Sequence, residues 1–268
     1  MSPLPGTLAL DFDGVLCDGL QEQFLVSWQA YGQLWPTSQP EPEAGLAPLF
    51  YQLRPVITVG WEMPMLLRAI MKGFTPQDIF SNWSVLCDRL LQDEDLNARD
   101  LGQLVDHLRD RWLARDEQGW LGQHRFYPGV IQTLGRWLGE GQAQDGFKTV
   151  IVTTKETRFV VALLRHAGVE FPPELIFGKD RQQPKTVILQ QLQQVEATPL
   201  WFVEDRLGAL KKVAALPTLE NIELFLASWG YNTVGDRQDA SQDKRIHLLD
   251  LEQFTQGSQG SYWATWLG

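Results

Sequence analysis

Taken as a pattern of apolar and polar positions, the chain changes character twice. Thr7 to Phe12 is a short apolar run with the length of a buried strand. From about Leu20 to His124 apolar residues recur at helical spacing, in LQEQFLVSWQAYGQLW and, after the Pro- and Glu-rich break PTSQPEPEAG, in GLAPLFYQLRPVI and WEMPMLLRAIMKGF. Thr75-Pro76-Gln77-Asp78 has the marks of a helix start: a Thr cap, Pro at the first helical position and an acid three residues after the cap. NARDLGQLVDHLRDRWLARD predicts a long amphipathic helix with its charges on one face. Nothing in this block predicts a strand.

From Tyr127 short apolar runs return and alternate with helical patterns. YPGVIQTLGRWL predicts a helix, TVIVT a strand, and ETRFVVALLRHAG a helix that stops at Gly168. ELIFG, PLWFV and IELFLASWG predict further strands, separated by the helices PKTVILQQLQQV and RLGALKKVAAL. Unbroken apolar strands suit a parallel sheet covered on both faces. The expected fold class is α/β: a doubly wound, Rossmann-like parallel sheet core, residues 1–18 and 126–268, with an all-helical domain, residues 19–125, inserted after the first strand.

Ligands of such sheets bind beyond the carboxyl ends of the strands, and chemistry-bearing residues collect there. Asp11-Phe12-Asp13 follows the first strand, and Val152-Thr153-Thr154-Lys155 and Val203-Glu204-Asp205-Arg206 close two others. Pro184-Lys185-Thr186 opens a helix between them. The octet DFDGVLCD, residues 11–18, alone holds three aspartates. Carboxylates this close repel one another, more so as water is excluded, so a positive group is expected among them.

Composition narrows the partners. The 268 residues are 44% hydrophobic and 21% charged, which is globular, and the net charge of −10 disfavours nucleic acid or an anionic membrane as the main partner. The two cysteines, Cys17 and Cys87, form no metal-binding or disulfide pattern. The start MSPLPGTLALDFDG lacks a basic n-region, and no run reaches the length of a membrane span, so a soluble, cytoplasmic protein is expected. The glycosylation-like tripeptide Asn82-Trp83-Ser84 is then accidental. The four histidines, at 107, 124, 166 and 247, show no pairing, and the eleven tryptophans sit at apolar positions that suit core packing.

With these residues in this order, the sequence resembles the haloacid dehalogenase-like hydrolase superfamily, within it the phosphoglycolate phosphatase and β-phosphoglucomutase branch. The counterparts of its four motifs are DFDGV at 11–15, VIVTTK at 150–155, Lys185, and VEDRLG at 203–208. YPGV at 127–130, the helix in TTKETRFVVALLRHAGV, and WGYN at 229–232, similar to a late sheet strand, agree as well. The resemblance implies that the helical insert is a cap domain. It implies Asp11 as nucleophile, giving an aspartyl-phosphate, and Asp13 as general acid and then base. Mg2+ would be held by Asp11, the Asp13 backbone carbonyl, Glu204 and Asp205. Thr153, or less favourably Thr154, would hydrogen-bond the phosphoryl group, and Lys185, preferred to Lys179, would neutralise its charge. Glu204-Asp205 looks like the β-phosphoglucomutase variant of the fourth motif, in which Arg206 is unexplained. Asp13 argues against dehalogenation, since family dehalogenases lack that second aspartate.

The expected function is a Mg-dependent phosphatase acting on a small phosphorylated metabolite, as a monomer or homodimer. A sugar phosphomutase shares every core motif, and a non-catalytic binding protein is the third alternative. Substrate recognition is expected from the cap, with Arg54 and Glu62 in RPVITVGWE as candidate leaving-group contacts, or else as an ordinary turn with a surface ion pair. Lys72-Gly73 is a further candidate there.

Overall fold

A computed structural model describes residues 5–35, 41–139, 147–195, 199–256 and 266–267. Strands β1 (Thr7–Leu10) and β2 (Cys17–Asp18) precede helices α1 (Leu20–Leu34), α2 (Leu46–Leu53), α3 (Glu62–Met71), α4 (Pro76–Asp93), α5 (Ala98–Arg115) and α6 (Glu117–Leu121). After β3 (Arg125–Phe126) the order is α7 (Val130–Gly139), β4 (Lys148–Val152), α8 (Thr157–His166), β5 (Ile176–Phe177), α9 (Lys185–Val195), β6 (Leu200–Glu204) and α10 (Leu207–Ala214). Then follow β7 (Glu223–Ala227), α11 (Val234–Gln242), β8 (Ile246–Leu249) and α12 (Leu251–Gln256). The chain divides into two compact units, residues 1–18 with 125–268 and residues 19–124. Arg125 falls in the sheet unit because β3 pairs antiparallel with β2, Cys17 opposite Phe126 and Asp18 opposite Arg125.

The sheet runs β5-β4-β1-β6-β7-β8 with every pair parallel. Side chains alternate across it with period two. Register places Ala9 beside Val150 and Phe202, Phe202 beside Leu224, and Leu224 beside Ile246. That row packs on Ile188 and Leu189 of α9, Leu210 and Val213 of α10 and Ala240 of α11. The aromatic cluster Trp201, Phe225, Phe254 and Trp266, joined at ring separations of 5.0 to 5.7 Å, holds α12 and the chain end. Both layers are apolar, which explains the unbroken hydrophobic strands. Strand order reverses direction beside β1, between β4 and β6, and ligands bind at such a switch point.

Two expectations are corrected here, and one strand is added. β7 ends at Ala227, so WGYN is not part of a strand but the turn after it. ELIFG yields only the two-residue β5, its start being a short 3-10 turn that Pro173 opens. The edge strand β8 was not foreseen, because its half-exposed pattern is weaker than that of the buried strands.

The helical unit has its own core, in which Phe24, Val26, Phe50, Leu66, Ile79 and Leu101 meet. Thr75 does cap α4: its hydroxyl accepts from Asp78 N at 3.2 Å while the Asp78 carboxylate accepts from Thr75 N at 3.0 Å. Asn97 caps α5 through Asp100 N at 2.9 Å. Beneath the apolar core lies a charged one. Glu22, fully buried, accepts from Arg109 Nε at 2.7 Å and Nη2 at 2.9 Å and from Trp120 Nε1 at 3.3 Å. His124 Nε2 lies 4.0 Å from the same carboxylate, and His247 lies 3.4 Å from Glu223. Two of the four histidines are thus paired with acids, which sequence spacing alone could not reveal.

Candidate active site

The carboxyl ends of β1, β4 and β6 bring the sequence candidates together. Asp11 leaves β1 with its N–H on the Val203 carbonyl of β6 at 2.9 Å, which fixes the backbone. Its Oδ1 accepts from Phe12 N at 2.7 Å, and its Oδ2 lies 2.8 Å from Lys185 Nζ. The same ammonium donates to Glu204 Oε2 at 2.7 Å. Lys185 opens α9, and this places it over the strand ends, whereas Lys179 is exposed in a 3-10 turn. Asp11, Glu204 and Asp205 each offer an oxygen within 4.8 Å of the others, and all three are buried.

Burial and the neighbouring Glu204 charge push the Asp11 carboxyl up to about 7, against the pull of Lys185. Glu204 is raised too, first by burial, with Asp205 adding to it and Lys185 opposing. Burial works against the charge of Lys185, but Asp11 and Glu204 outweigh it and its pKa rises. With all groups ionised the cluster carries three negative charges and one positive, a net −2. Such a set of hard oxygens, short of two positive charges, fits a divalent cation of the Mg2+ type.

The remaining candidates stand around this cluster. Asp13 is half-buried, and both its oxygens lie 3.2 Å from Nζ of Lys155, which is only 4% exposed. Thr153 is 5% exposed, its N–H on the Phe177 carbonyl at 3.0 Å and its Oγ1 accepting from Lys155 N at 3.2 Å. Thr154 is exposed beside it. The Arg206 N–H donates to Glu204 Oε1 at 3.0 Å, and Arg206 occupies the N-cap position of α10. Its backbone thereby positions the acid, whatever the side chain.

Asp205 is held from behind by the turn after β7. The Tyr231 N–H donates to Asp205 Oδ2 at 2.6 Å, and Asn232 Nδ2 donates to the Asp205 carbonyl at 3.0 Å. Gly14, at φ +86, lies so close that a Cβ there would collide with the Asp205 carboxylate. The Tyr231 hydroxyl donates to Asp18 Oδ1 at 3.0 Å, which keeps Asp18 out of the acidic cluster. Neither cysteine is a nucleophile: both thiols are buried, and burial raises their pKa.

Lys155, Tyr231 and Asn232 were missed as site residues. The signal for Lys155 lay in its place two residues past Thr153, just beyond the end of β4. Tyr231 and Asn232 carry a weaker one, polar groups directly after an apolar strand.

Arg54 and Glu62 lie in the helical unit, and their side chains are engaged there. Arg54 Nε donates to Gln23 Oε1 at 2.5 Å and Nη1 to the Ile57 carbonyl at 3.0 Å. Glu62 accepts from Thr58 N at 2.5 Å and Val59 N at 3.3 Å. These bonds brace the turn from 54 to 62. Lys72 pairs with Glu94 at 3.0 Å.

The doubly wound sheet carries buried acids at its switch point with a lysine among them. Solved structures make the fold specific. A protein described as a predicted phosphatase from Clostridium acetobutylicum superposes with a TM-score of 0.58 at 14% identity, over 95% of this chain and 98% of that one. A predicted phosphoglycolate phosphatase from Haemophilus somnus gives 0.55 at 16% identity, over 95% and 98%. A haloacid dehalogenase-like family hydrolase from Streptococcus pneumoniae gives 0.51 at 15%, over 92% and 94%. The chain has the haloacid dehalogenase-like fold. No family model and no curated protein matches the sequence. No helix among the described residues is long and apolar enough to cross a membrane.

Proposed function

We propose that this protein is a phosphatase that hydrolyses a small phosphorylated metabolite through an aspartyl-phosphate on Asp11, with Mg2+ as its cation. The observation that carries the reading is the set of buried acids Asp11, Glu204 and Asp205 around the half-buried Lys185 at the switch point. Asp11, Glu204 and Asp205, with the Asp13 backbone carbonyl, are the groups to hold the cation. When bound, it would offset the carboxylate repulsion and polarise the phosphoryl oxygens.

Asp11 attacks phosphorus in line. The Phe12 N–H and the Lys185 ammonium hold its two oxygens apart, so the carboxylate has a fixed aim. Lys185 also faces the negative charge arriving with the phosphoryl group. Thr153 is the hydroxyl at the strand end that suits a phosphoryl oxygen. Asp13 protonates the leaving oxygen and then takes a proton from the water that cleaves the intermediate. Both Asp13 oxygens lie on the Lys155 ammonium, so Asp13 works after turning off Lys155, taking up from water the proton that it gives to the leaving oxygen. The helical unit acts as the cap that chooses the substrate, with Arg54 and Glu62 shaping its turn.

The test is hydrolysis of a generic aryl phosphate. Activity should require magnesium and vanish on chelation. Asp11→Asn should leave less than a few per cent of turnover and no covalent intermediate by mass spectrometry. Full activity in chelator, with metal content measured, would overturn the reading. Appearance of an isomeric phosphate ester from a sugar phosphate, in place of free phosphate, would make the protein a mutase.

A further inference from the structure

The helical unit carries a groove of about 520 Å³, open to solvent, between the second half of α1 and the second half of α5. It is lined by Gln29 and Gln33, one turn apart on α1, and by Leu108, Arg111, Trp112 and Arg115 on α5. The spacing is regular: Arg111 and Arg115, like Leu108 and Trp112, are four apart and share a face. Leu108 belongs to the apolar core and Trp112 packs against it, so the floor is fixed. Neither arginine forms an ion pair or hydrogen bond with a described residue, and neither glutamine does. Both guanidiniums are exposed on the groove, so their donors are open to a ligand from solvent.

We propose that this groove binds a small molecule carrying an oxyanion on a flat apolar body. Two guanidiniums on one helix face present planar forks of donors that match the oxygens of a phosphate, sulfonate or carboxylate. The Gln29 and Gln33 amides can donate to the same group or accept from a hydroxyl. Trp112 and Leu108 offer the apolar contact for the rest of the ligand. The volume lies in the range of small-molecule sites and far exceeds what a bare oxyanion fills. Arg115 also stands in the last turn of α5, where a cation suits the helix dipole. That role accounts for neither Arg111 nor the facing glutamines. The proposal does not depend on the phosphatase reading.

Isothermal titration calorimetry with naphthalene-2-sulfonate, an oxyanion on a flat ring system that no phosphatase can hydrolyse, tests it. The wild-type protein should bind with Kd below about 1 mM. The double variant Arg111→Gln with Arg115→Gln should weaken binding at least tenfold, about 1.4 kcal/mol. Inorganic sulfate should bind at least tenfold more weakly than the naphthalene compound, for want of the Trp112 contact. Lys185→Gln, which alters the catalytic cluster, should leave the affinity unchanged; circular dichroism checks that each variant is folded. Absence of binding to the wild type would overturn the proposal. So would equal affinity for the double variant, equal affinity for sulfate, or loss of binding in Lys185→Gln.

Discussion

A single lysine separates storage from action in this site. Lys155 does not touch the acidic cluster; it holds Asp13 by both oxygens at 3.2 Å. Lys155→Met should therefore lower kcat on an aryl phosphate by about 10- to 100-fold, short of the 10²–10⁴ expected for losing the general acid outright. KM should move little, and magnesium affinity should stay within about twofold, which metal titration checks. A loss as deep as that of Asp13→Asn would mean that Lys155 acts on the substrate itself. Glu22 poses the opposite case, a charge kept for the fold. Arg109→Met strips the buried carboxylate of two short bonds, so denaturant unfolding should show a loss of about 3–5 kcal/mol. The residues of the first motif could be read from sequence because acids at a strand end have few structural uses. For Lys155 its place two residues past Thr153 was not enough, since a lysine after a strand is ordinarily a solvated end, and three-dimensional proximity to Asp13 gives it its task.

At the scale of elements, one acid ties three helices. Glu94, just past α4, accepts from Arg68 of α3 at 2.8 and 2.9 Å, from Lys72 at 3.0 Å, and from the Trp35 indole at the end of α1 at 2.8 Å. Burial alone would raise its pKa, but these donors prevail and hold the carboxyl down at about 2, against 4.5 for an ordinary Glu. A group whose folded pKa is depressed stabilises the fold above its unfolded pKa and ceases to do so as pH falls through the folded value. Glu94→Gln should thus cost about 2 kcal/mol at neutral pH, and its gap from wild type should close between about pH 5 and pH 2 in denaturant melts. A gap independent of pH would deny the charge its part. Helices were legible at this scale because their apolar positions recur and their caps are local: Thr75 stands where the sequence marks it. Short β5 and edge strand β8 were not, since two residues or a half-exposed face carry little periodicity. The bracket at Glu94 was invisible, because its partners lie 22 to 59 residues away.

The whole molecule depends on its charges being matched. The site gathers three buried acids around one lysine, so a divalent ion held there should stabilise the native state by mass action, by about 2.7 kcal/mol at a hundred times its Kd. Magnesium should raise the thermal midpoint of the wild type, and Asp205→Asn should abolish most of that rise even where it spares folding. An equal rise in the variant would locate the ion elsewhere. The sheet order was only partly legible: parallel strands and a helical insert followed from patterning, but which strands adjoin β1 is fixed by packing that no local signal records. That order also has a consequence in time. β1 leaves the ribosome first, yet both its neighbours, β4 and β6, are encoded about 140 and 190 residues later. At 5–20 residues per second the strand that leads into Asp11 waits about 7 to 40 s without a partner. Meanwhile the continuous segment behind it, with a core of its own, can finish folding. The first strand made is among the last to be secured, and a nascent chain halted before β4 should carry a protected helical unit behind an unprotected β1 in hydrogen exchange.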